Sequence, residues 1–245
     1  MKQLDKNKFR KVKLCIGIAA VLFCTVIGCY GILTAPKSDQ EKLELELQKN
    51  QRELESIQEK SPKNFNQAST GAPAATEPSA EKINSEKTIS VIGDSVFLGA
   101  APSFKKIYRH AVIDAKISRQ VRHGLEVAKK MKKKNKLGDI VIISLGTNGT
   151  FNSATGQELI DYLGKDRTIY WIDAYGKGLD IQKEVNSTIR KLVKENSNVH
   201  LIPWSEEGKK HPGWFYQDGT HLNLKGQDGF TQYITKNLEP KETSP

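Results

Sequence analysis

The chain has 245 residues, 27% of them charged, and a formal net charge of +10. This length allows one domain of ordinary size with accessory segments, and excludes a large multidomain assembly within these residues. Residues 1–13 hold six bases and one acid, which supply five of the ten excess positive charges (6 − 1 = 5), so the charge does not by itself indicate a nucleic-acid partner.

Residues 14–33 contain no charged side chain. About 20 such residues in a helix span the ~30 Å hydrocarbon core of a bilayer. We therefore predict a cytoplasmic basic tail over residues 1–13 and one uncleaved transmembrane signal anchor over residues 14–35. The basic flank stays inside, which places the rest of the chain outside the cell. Two alternatives are a cleaved signal peptide and a lipoprotein signal with Val26–Cys29 as lipobox and Cys29 as the lipidated residue.

All three cysteines of the chain lie in this apolar segment. The exported part can therefore form no disulfide, and it has no thiol nucleophile and no cysteine-based metal site. An exported domain without disulfides is compatible with a bacterial surface protein.

Residues 36–87 are predicted to be a helical stalk followed by a flexible linker. Residues 38–59 are charged and rich in helix formers, with a heptad-like seam. The seam comprises Leu43, Leu47, Asn50, Leu54 and Ile57. This pattern favours a solvated stalk over a short zipper that would form a weak dimer. Residues 61–87 have few large apolar side chains and are predicted to be the linker.

Residues 88–239 are predicted to form the folded domain, ahead of a short tail over residues 240–245. Strand-like apolar runs lie at 89–93, 111–115, 139–145, 168–173 and 199–204. Helical patterns lie at 96–108, 120–135, 156–163, 181–195 and 224–238. Apolar strands that alternate with helices predict an α/β domain with a doubly wound five-stranded parallel sheet. A functional site is then expected at the carboxyl ends of the strands.

Three short motifs follow strands or precede the last helix. Ser95 follows the first strand, where the N–H groups of a helix N-terminus can stabilise an oxyanion. Asn148 follows the third strand and offers an amide donor at the same edge. Asp218 and His221 are spaced so that the carboxylate can orient the imidazole as a base for a serine. Each motif alone also suits a helix cap or a turn, but together they indicate a nucleophilic serine site.

These motifs resemble those of the SGNH/GDSL hydrolases and, more narrowly, the extracellular catalytic domain of Gram-positive peptidoglycan O-acetyltransferases. The resemblance is carried by residues 91–96, 112–120, 145–149 and 218–222. It implies a flavodoxin-like fold, with Ser95 as nucleophile, His221 as base and Asp218 as the residue that orients it. The Ser95 N–H and the Asn148 side chain would line the oxyanion hole.

Two departures from that family bear on function. The family usually supplies an oxyanion donor from a glycine, and Ser118 stands at the corresponding position with its own backbone N–H. Family members often carry a multi-span membrane acyltransferase domain, whereas one span is predicted here. The resemblance implies acetyl transfer to a wall polysaccharide with a separate membrane acyltransferase as donor. An acetylesterase and a non-catalytic, anchored wall-binding module are the alternatives.

No cofactor or metal is expected, because His110, His123, His200 and His211 form no recognisable metal-binding motif in the sequence. The aromatic run Trp214–Tyr216, just before the Asp–His pair, suits either the wall of a sugar-binding groove or the core.

Overall fold

The computed structural model describes residues 38–60 and 88–238. The predicted cytoplasmic tail, membrane anchor and linker lie outside the described residues, as does the tail at 240–245. Within residues 38–60 and 88–238, no helix is both long and apolar enough to cross a membrane.

Five parallel strands form one sheet in the order β2-β1-β3-β4-β5. They are β1 (Ile89–Gly93), β2 (Val112–Ala115), β3 (Ile140–Ser144), β4 (Thr168–Ile172) and β5 (Val199–Ile202). Every residue of the central strands β1 and β3 is buried, which explains why these strands are apolar with little alternation. The predicted doubly wound five-stranded parallel sheet is confirmed, and its strand order is that of flavodoxin-like folds.

Seven α-helices are found among the described residues. They are α1 (Asp39–Lys60), α2 (Ser95–Ile107), α3 (Gly124–Lys133), α4 (Ser153–Leu163), α5 (Gln182–Glu195), α6 (Trp204–Gly208) and α7 (Leu224–Leu238). The sequence predicts one strand over 199–204, whereas the structure ends β5 at Ile202 and begins the short helix α6 at Trp204. Pro203 has no N–H for the sheet ladder, so the strand ends at Ile202.

The sheet separates two apolar cores. Successive residues of a strand point to opposite faces, so Val91 joins one core and Ile92 the other. The first core includes buried residues of α1, α2 and α7, and the second includes buried residues of α3, α4 and α5. Both faces of the sheet are thus covered by helices.

Helix α1 packs against the folded domain, so the prediction of a solvated stalk is wrong for these residues. Leu43, Leu47 and Leu54 are buried in the same core as α2. Asn50, the polar member of the seam, is also buried, and its Nδ2 donates to the carbonyls of Leu98 (3.2 Å) and Gly99 (3.3 Å). Four of the five seam residues are therefore covered within one chain, and Ile57 at the end of the seam is 39% exposed.

We expect Leu47→Ala to lower the free energy of unfolding by about 2–4 kcal/mol, because it removes a buried side chain and leaves a cavity. Leu45 lies on the same helix but is 43% exposed, against 5% for Leu47. Leu45→Ala should therefore stay within about 0.5 kcal/mol of the original protein. Urea unfolding of both variants measures this difference. Equal losses would contradict the docking of α1.

The strand order creates a crevice between the central strands. The connections leaving β1 and β3 diverge, because β2 lies on one side of this pair and β4 on the other. In open parallel sheets, the carboxyl end of such a switch point is where ligands bind. One residue separates Ser95 from the end of β1, and Asn148 lies in the loop after β3. The fold therefore places both residues at this crevice.

Candidate active site

Ser95 is the first residue of α2, at the turn that leaves β1. A Cβ added to Gly93 would lie 2.8 Å from the Phe97 Cβ and 3.2 Å from the Ala115 Cβ, so a glycine permits this close turn. At the start of a helix, the Ser95 N–H has no intrahelical acceptor and lies at the positive end of the helix dipole. The turn therefore presents an N–H and a hydroxyl at the same edge.

The three residues predicted as a triad form a chain of hydrogen bonds. The Nε2 of His221 lies 2.9 Å from the Ser95 Oγ. The Nδ1 of the same ring lies 2.6 Å from the Asp218 Oδ2. The other oxygen of Asp218 accepts the backbone N–H groups of Thr220 and His221, each at 2.9 Å. Both the ring and the carboxylate are thereby held in place.

Asp218 is stabilised as a carboxylate. Partial burial alone would raise its pKa, but the hydrogen bond from the His221 ring and those from the two backbone N–H groups outweigh burial and lower the pKa to about 2. The carboxylate is therefore charged at neutral pH and accepts the Nδ1 proton. The Nε2 of His221 is left to accept the proton of Ser95.

Asp218 and His221 lie on residues 215–222, called here the catalytic loop. The Tyr216 N–H donates to the His221 carbonyl at 2.8 Å, and the Gly219 N–H donates to the Tyr216 carbonyl at 2.9 Å. An antiparallel bridge between Phe215 and Leu222 closes the loop at its base. The ends of the loop are thus tied together around the Asp–His pair.

The aromatic run before the pair packs onto the protein. Trp214, Phe215 and Tyr216 are partly buried against the first core. Trp214 stacks on the ring of His211 with centroids 3.8 Å apart, and Phe215 packs beside Tyr175. Of the two interpretations given by the sequence, packing accounts for the contacts of all three side chains.

The Asp94 carboxylate holds Asn148 beside the turn that carries Ser95. The buried Asp94 carboxylate accepts the Val96 N–H at 3.0 Å and thereby caps α2. Its other oxygen accepts the Thr147 hydroxyl at 2.7 Å and the Asn148 amide at 3.5 Å. Burial raises the pKa of Asp94, although the hydrogen bonds from Thr147 and Val96 oppose that change. The sequence suggested only a helix cap at this position, and its link to the Asn148 loop was missed.

Ser118 lies in the loop after β2 with φ at 58°, in the left-handed region that favours glycine. The next residue, Arg119, fixes this loop to the end of β1. Its buried guanidinium donates to the Gly93 carbonyl at 3.0 Å, to the Asp114 carbonyl, and to the Asp114 carboxylate at 2.6 Å. The backbone of the Ser118 loop is thus tied to the strand that leads into Ser95. Arg119 belongs to the residues that carry the resemblance, but the sequence assigned it no role.

We expect Ser118→Gly to raise the free energy of unfolding by about 0.5–1 kcal/mol, because relief of the left-handed conformation outweighs the extra freedom of glycine in the unfolded chain. The backbone N–H is retained, so hydrolysis of p-nitrophenyl acetate should be unchanged. Ser118→Val should be destabilising, since a β-branched residue suits this φ poorly. Urea unfolding tests both variants. A loss of stability in Ser118→Gly would show that the serine side chain, which is exposed, is needed here.

The sequence is similar to known O-acetyltransferases. Over 159 residues it is 34% identical to the O-acetyltransferase OatA of Staphylococcus aureus (strain NCTC 8325 / PS 47). This alignment covers 63% of this chain and 25% of that protein. Over 153 residues it is 31% identical to the putative peptidoglycan O-acetyltransferase YrhL of Bacillus subtilis (strain 168), and this alignment covers 62% of this chain and 24% of that protein. The chain thus spans about a quarter of the length of these curated relatives. No family model matches the chain.

Solved structures share the fold at low sequence identity. The C-terminal catalytic domain of Streptococcus pneumoniae peptidoglycan O-acetyltransferase A superposes with a TM-score of 0.55 at 20% identity, over 62% of this chain and 95% of that one. The lipase/acylhydrolase from Enterococcus faecalis superposes with a TM-score of 0.52 at 16% sequence identity, and the match covers 62% of this chain and 94% of that one. A lipolytic G-D-S-L family protein from Veillonella parvula superposes with a TM-score of 0.51 at 14% sequence identity, and the match covers 61% of this chain and 96% of that one. The folded domain of this chain therefore has the fold of the SGNH/GDSL hydrolases and is similar in sequence to peptidoglycan O-acetyltransferases.

Proposed function

We propose that this chain is an extracytoplasmic serine acyl-ester enzyme that transfers acetyl to a hydroxyl of a cell-wall polysaccharide, through an acyl-Ser95 intermediate. The observation that carries the proposal is the His221 Nε2 at 2.9 Å from the Ser95 Oγ, with Asp218 on the other ring nitrogen. The names of the relatives support acetyl as the acyl group and peptidoglycan as the acceptor. The muramic acid hydroxyl is the acceptor that we propose.

In the first half of the reaction, the Ser95 Oγ attacks the carbonyl carbon of an acetyl ester. The hydroxyl proton passes to the His221 Nε2, and the negative charge moves to the carbonyl oxygen. The tetrahedral intermediate then collapses, the bond to the donor oxygen breaks, and that oxygen takes the proton from His221. Acetyl-Ser95 and the free donor alcohol remain.

In the second half, a sugar hydroxyl gives its proton to His221 and attacks acetyl-Ser95. The second tetrahedral intermediate collapses with return of the proton to the Ser95 Oγ, which releases the acetylated sugar and the free enzyme. Asp218 stays ionised throughout and stabilises the imidazolium that forms in each half. Its lowered pKa, about 2, supports that role.

The oxyanion of each intermediate needs donors that are already in place. The Ser95 N–H at the start of α2, the Asn148 amide and the Ser118 N–H are the donors that we propose. The Asn148 Nδ2 donates to Thr147 at 3.0 Å and to Asp94 at 3.5 Å, so one of its two N–H groups must turn toward the oxyanion, and the weaker contact with Asp94 is the one to give way. The backbone of the Ser118 loop is fixed by Arg119. The Ser95 and Ser118 donors are backbone N–H groups and need little rearrangement when charge develops.

Hydrolysis is the second candidate, because two members of the triad are partly exposed to solvent, although Ser95 itself is only 4% exposed. The side chains of His221 and Asp218 are 24% and 41% exposed. Water can therefore approach the region where acetyl-Ser95 would be deacylated, and an acetylesterase would use the same first half-reaction. A non-catalytic wall-binding module has less support, since binding alone has no use for a hydrogen-bonded Ser–His–Asp chain.

The location and the donor are parts of the same proposal. The predicted anchor at residues 14–35 would hold the enzyme at the outer face of a bacterial cell membrane, with the N-terminus in the cytoplasm. An enzyme at the outer face needs acetyl that a membrane protein has carried across the bilayer. We therefore propose a separate multi-span membrane acyltransferase as the donor partner.

An acetyl-ester assay with and without a chitooligosaccharide acceptor tests the proposal, with acetate and acetylated sugar measured together. If the enzyme transfers acetyl, acetylated sugar should form. The amount of acetate released for each ester molecule consumed should then fall when the acceptor is present. Hydrolysis predicts acetate release that the acceptor does not change. Ser95→Ala is the control for both products. Activity that persists in Ser95→Ala, or no turnover and no reaction of Ser95 with a fluorophosphonate, would contradict the proposed enzyme.

Cells separate the two candidates in a second way. In a host whose wall lacks O-acetyl groups, transfer predicts wall acetylation only when the membrane partner is co-expressed. In a host with an acetylated wall, hydrolysis predicts loss of wall acetate with or without the partner. Net loss of wall acetate would overturn the transferase and leave the acetylesterase.

A further inference from the structure

We propose that Glu46 of α1 is a positioning residue for the catalytic loop, so that the helix preceding the linker forms part of the support of the active site. This inference rests on the proposed roles of Ser95 and His221. It concerns a helix that lies far from the triad in sequence and carries none of its motifs.

The carboxylate of Glu46 holds two side chains that flank the Asp–His pair. Its Oε2 accepts the phenol hydroxyl of Tyr216 at 2.8 Å. Its Oε1 accepts the Nε2 of Gln227 on α7. The same Nε2 donates to the carbonyl of Leu222, directly after His221, at 3.1 Å. One carboxylate therefore links to the catalytic loop both before Asp218 and after His221.

Tyr216 transmits this contact to the catalytic base. Its backbone N–H donates to the His221 carbonyl at 2.8 Å, and its own carbonyl accepts the Gly219 N–H at 2.9 Å. A shift of Tyr216 therefore moves the backbone on which the imidazole is mounted. The contact between the His221 Nε2 and the Ser95 Oγ, 2.9 Å, depends on that position. Misplacement by about 1 Å can cost on the order of a hundredfold in rate.

The Glu46–Tyr216 contact persists at the pH of an ordinary assay. Burial raises the pKa of the Tyr216 phenol to about 12, with the hydrogen bond to Glu46 and the negative charges of Glu46 and Asp39 acting in the same direction. The phenol therefore remains a neutral donor at neutral pH. Gln227 is 3% exposed, so its amide is shielded from competing water.

The apolar contacts of α1 provide a different kind of support. Leu43, Leu47 and Leu54 bury the helix against the domain, and their loss should lower stability. Glu46 bonds instead to side chains at the catalytic loop. The two kinds of substitution should therefore have different effects. Leucine substitutions should lower the free energy of unfolding, and Glu46 substitutions should lower the reactivity of Ser95 in the folded protein.

The test is the second-order rate at which Ser95 in the full chain reacts with a small fluorophosphonate. This probe needs the triad but neither the acetyl donor nor the sugar acceptor. We expect Glu46→Ala to slow the reaction about tenfold and to lower kcat for acetyl-ester turnover by a similar factor, with little change in KM. Glu44 is the matched control, since it is exposed on the same helix and its carboxylate accepts a hydrogen bond from Gln40. Glu44→Ala should stay within about twofold of the original rate.

A folded Glu46→Ala protein that reacts as fast as the original would overturn the inference. If that variant does not fold, Tyr216→Phe and Glu46→Gln decide in its place. Tyr216→Phe removes one hydroxyl, and Glu46→Gln replaces one of the two acceptor oxygens by an amide donor, so that Tyr216 and Gln227 can no longer both donate to it. Slower labelling in both, with non-additive effects in the double variant, supports the inference. Original rates in both overturn it.

The same measurement keeps the two proposals apart. If Ser95 reacts normally with the probe but no acetyl is moved or released, the proposed function fails and the Glu46 result stands. If Ser95 in the original protein does not react, the triad assignment fails and the Glu46 inference is overturned with it.

Discussion

Ser95→Ala should lower acetyl-ester turnover by about 10⁴-fold or more and leave the fold intact, because the nucleophile is lost and only binding and oxyanion stabilisation remain. His221→Ala should have a similar effect, since without its Nε2 the serine hydroxyl has no base at 2.9 Å. Asp218→Asn should cost less, because Asp218 orients the ring and stabilises its charged form but transfers no proton. Initial rates with p-nitrophenyl acetate and fluorophosphonate labelling measure all three.

Unfolding by urea provides the control for these triad variants. Their midpoints should stay close to that of the original protein, so that a loss of rate is not a loss of fold. The assignment of the nucleophile would be refuted by full activity in Ser95→Ala, once contamination by host esterases has been ruled out.

Asn148→Ala should lower kcat by about 10²–10³-fold with little change in KM, because an oxyanion donor acts on charge that is present only in the transition state. The structure provides a matched control in Asn152, whose side chain caps α4 by accepting the Thr155 N–H at 2.9 Å. Asn152→Ala should cost about 1 kcal/mol of stability and leave kcat unchanged. Full kinetic curves for both variants distinguish these outcomes. An effect confined to KM would make Asn148 a substrate-binding residue.

The sheet and the position of the site could be predicted from the sequence because both follow from local patterns. Buried parallel strands require apolar runs such as 140–144, and their carboxyl ends meet at one edge whatever the details of packing. Ser95 and Asn148 therefore had to be near each other once each was placed after a central strand. The Asp218–His221 spacing added the base, which belongs to the loop that leads into the last helix.

The contacts of α1 could not be predicted, because periodicity identifies an apolar face but not the surface that covers it. The same leucine spacing suits a solvated stalk, a zipper or a helix docked on its own domain, and only the folded α2 decides among them. Asn50 shows the limit clearly: a polar residue on the seam was compatible with a zipper, yet it bonds to two backbone carbonyls of α2. The contacts of Glu46 were likewise missed, since a charged side chain carries no sign of a partner far away in the chain.

The docking of α1 also determines where the catalytic domain can be cut for expression. A recombinant fragment that begins at Thr88 would uncover the part of α2 that Leu43, Leu47 and Leu54 bury, and bare apolar surface of this kind promotes aggregation. It would also leave the Leu98 and Gly99 carbonyls without their Asn50 donor. A fragment that begins at Asp39 keeps these contacts and omits the apolar residues 14–33, so Asp39 is the N-terminal boundary at which a soluble, crystallisable protein should be sought.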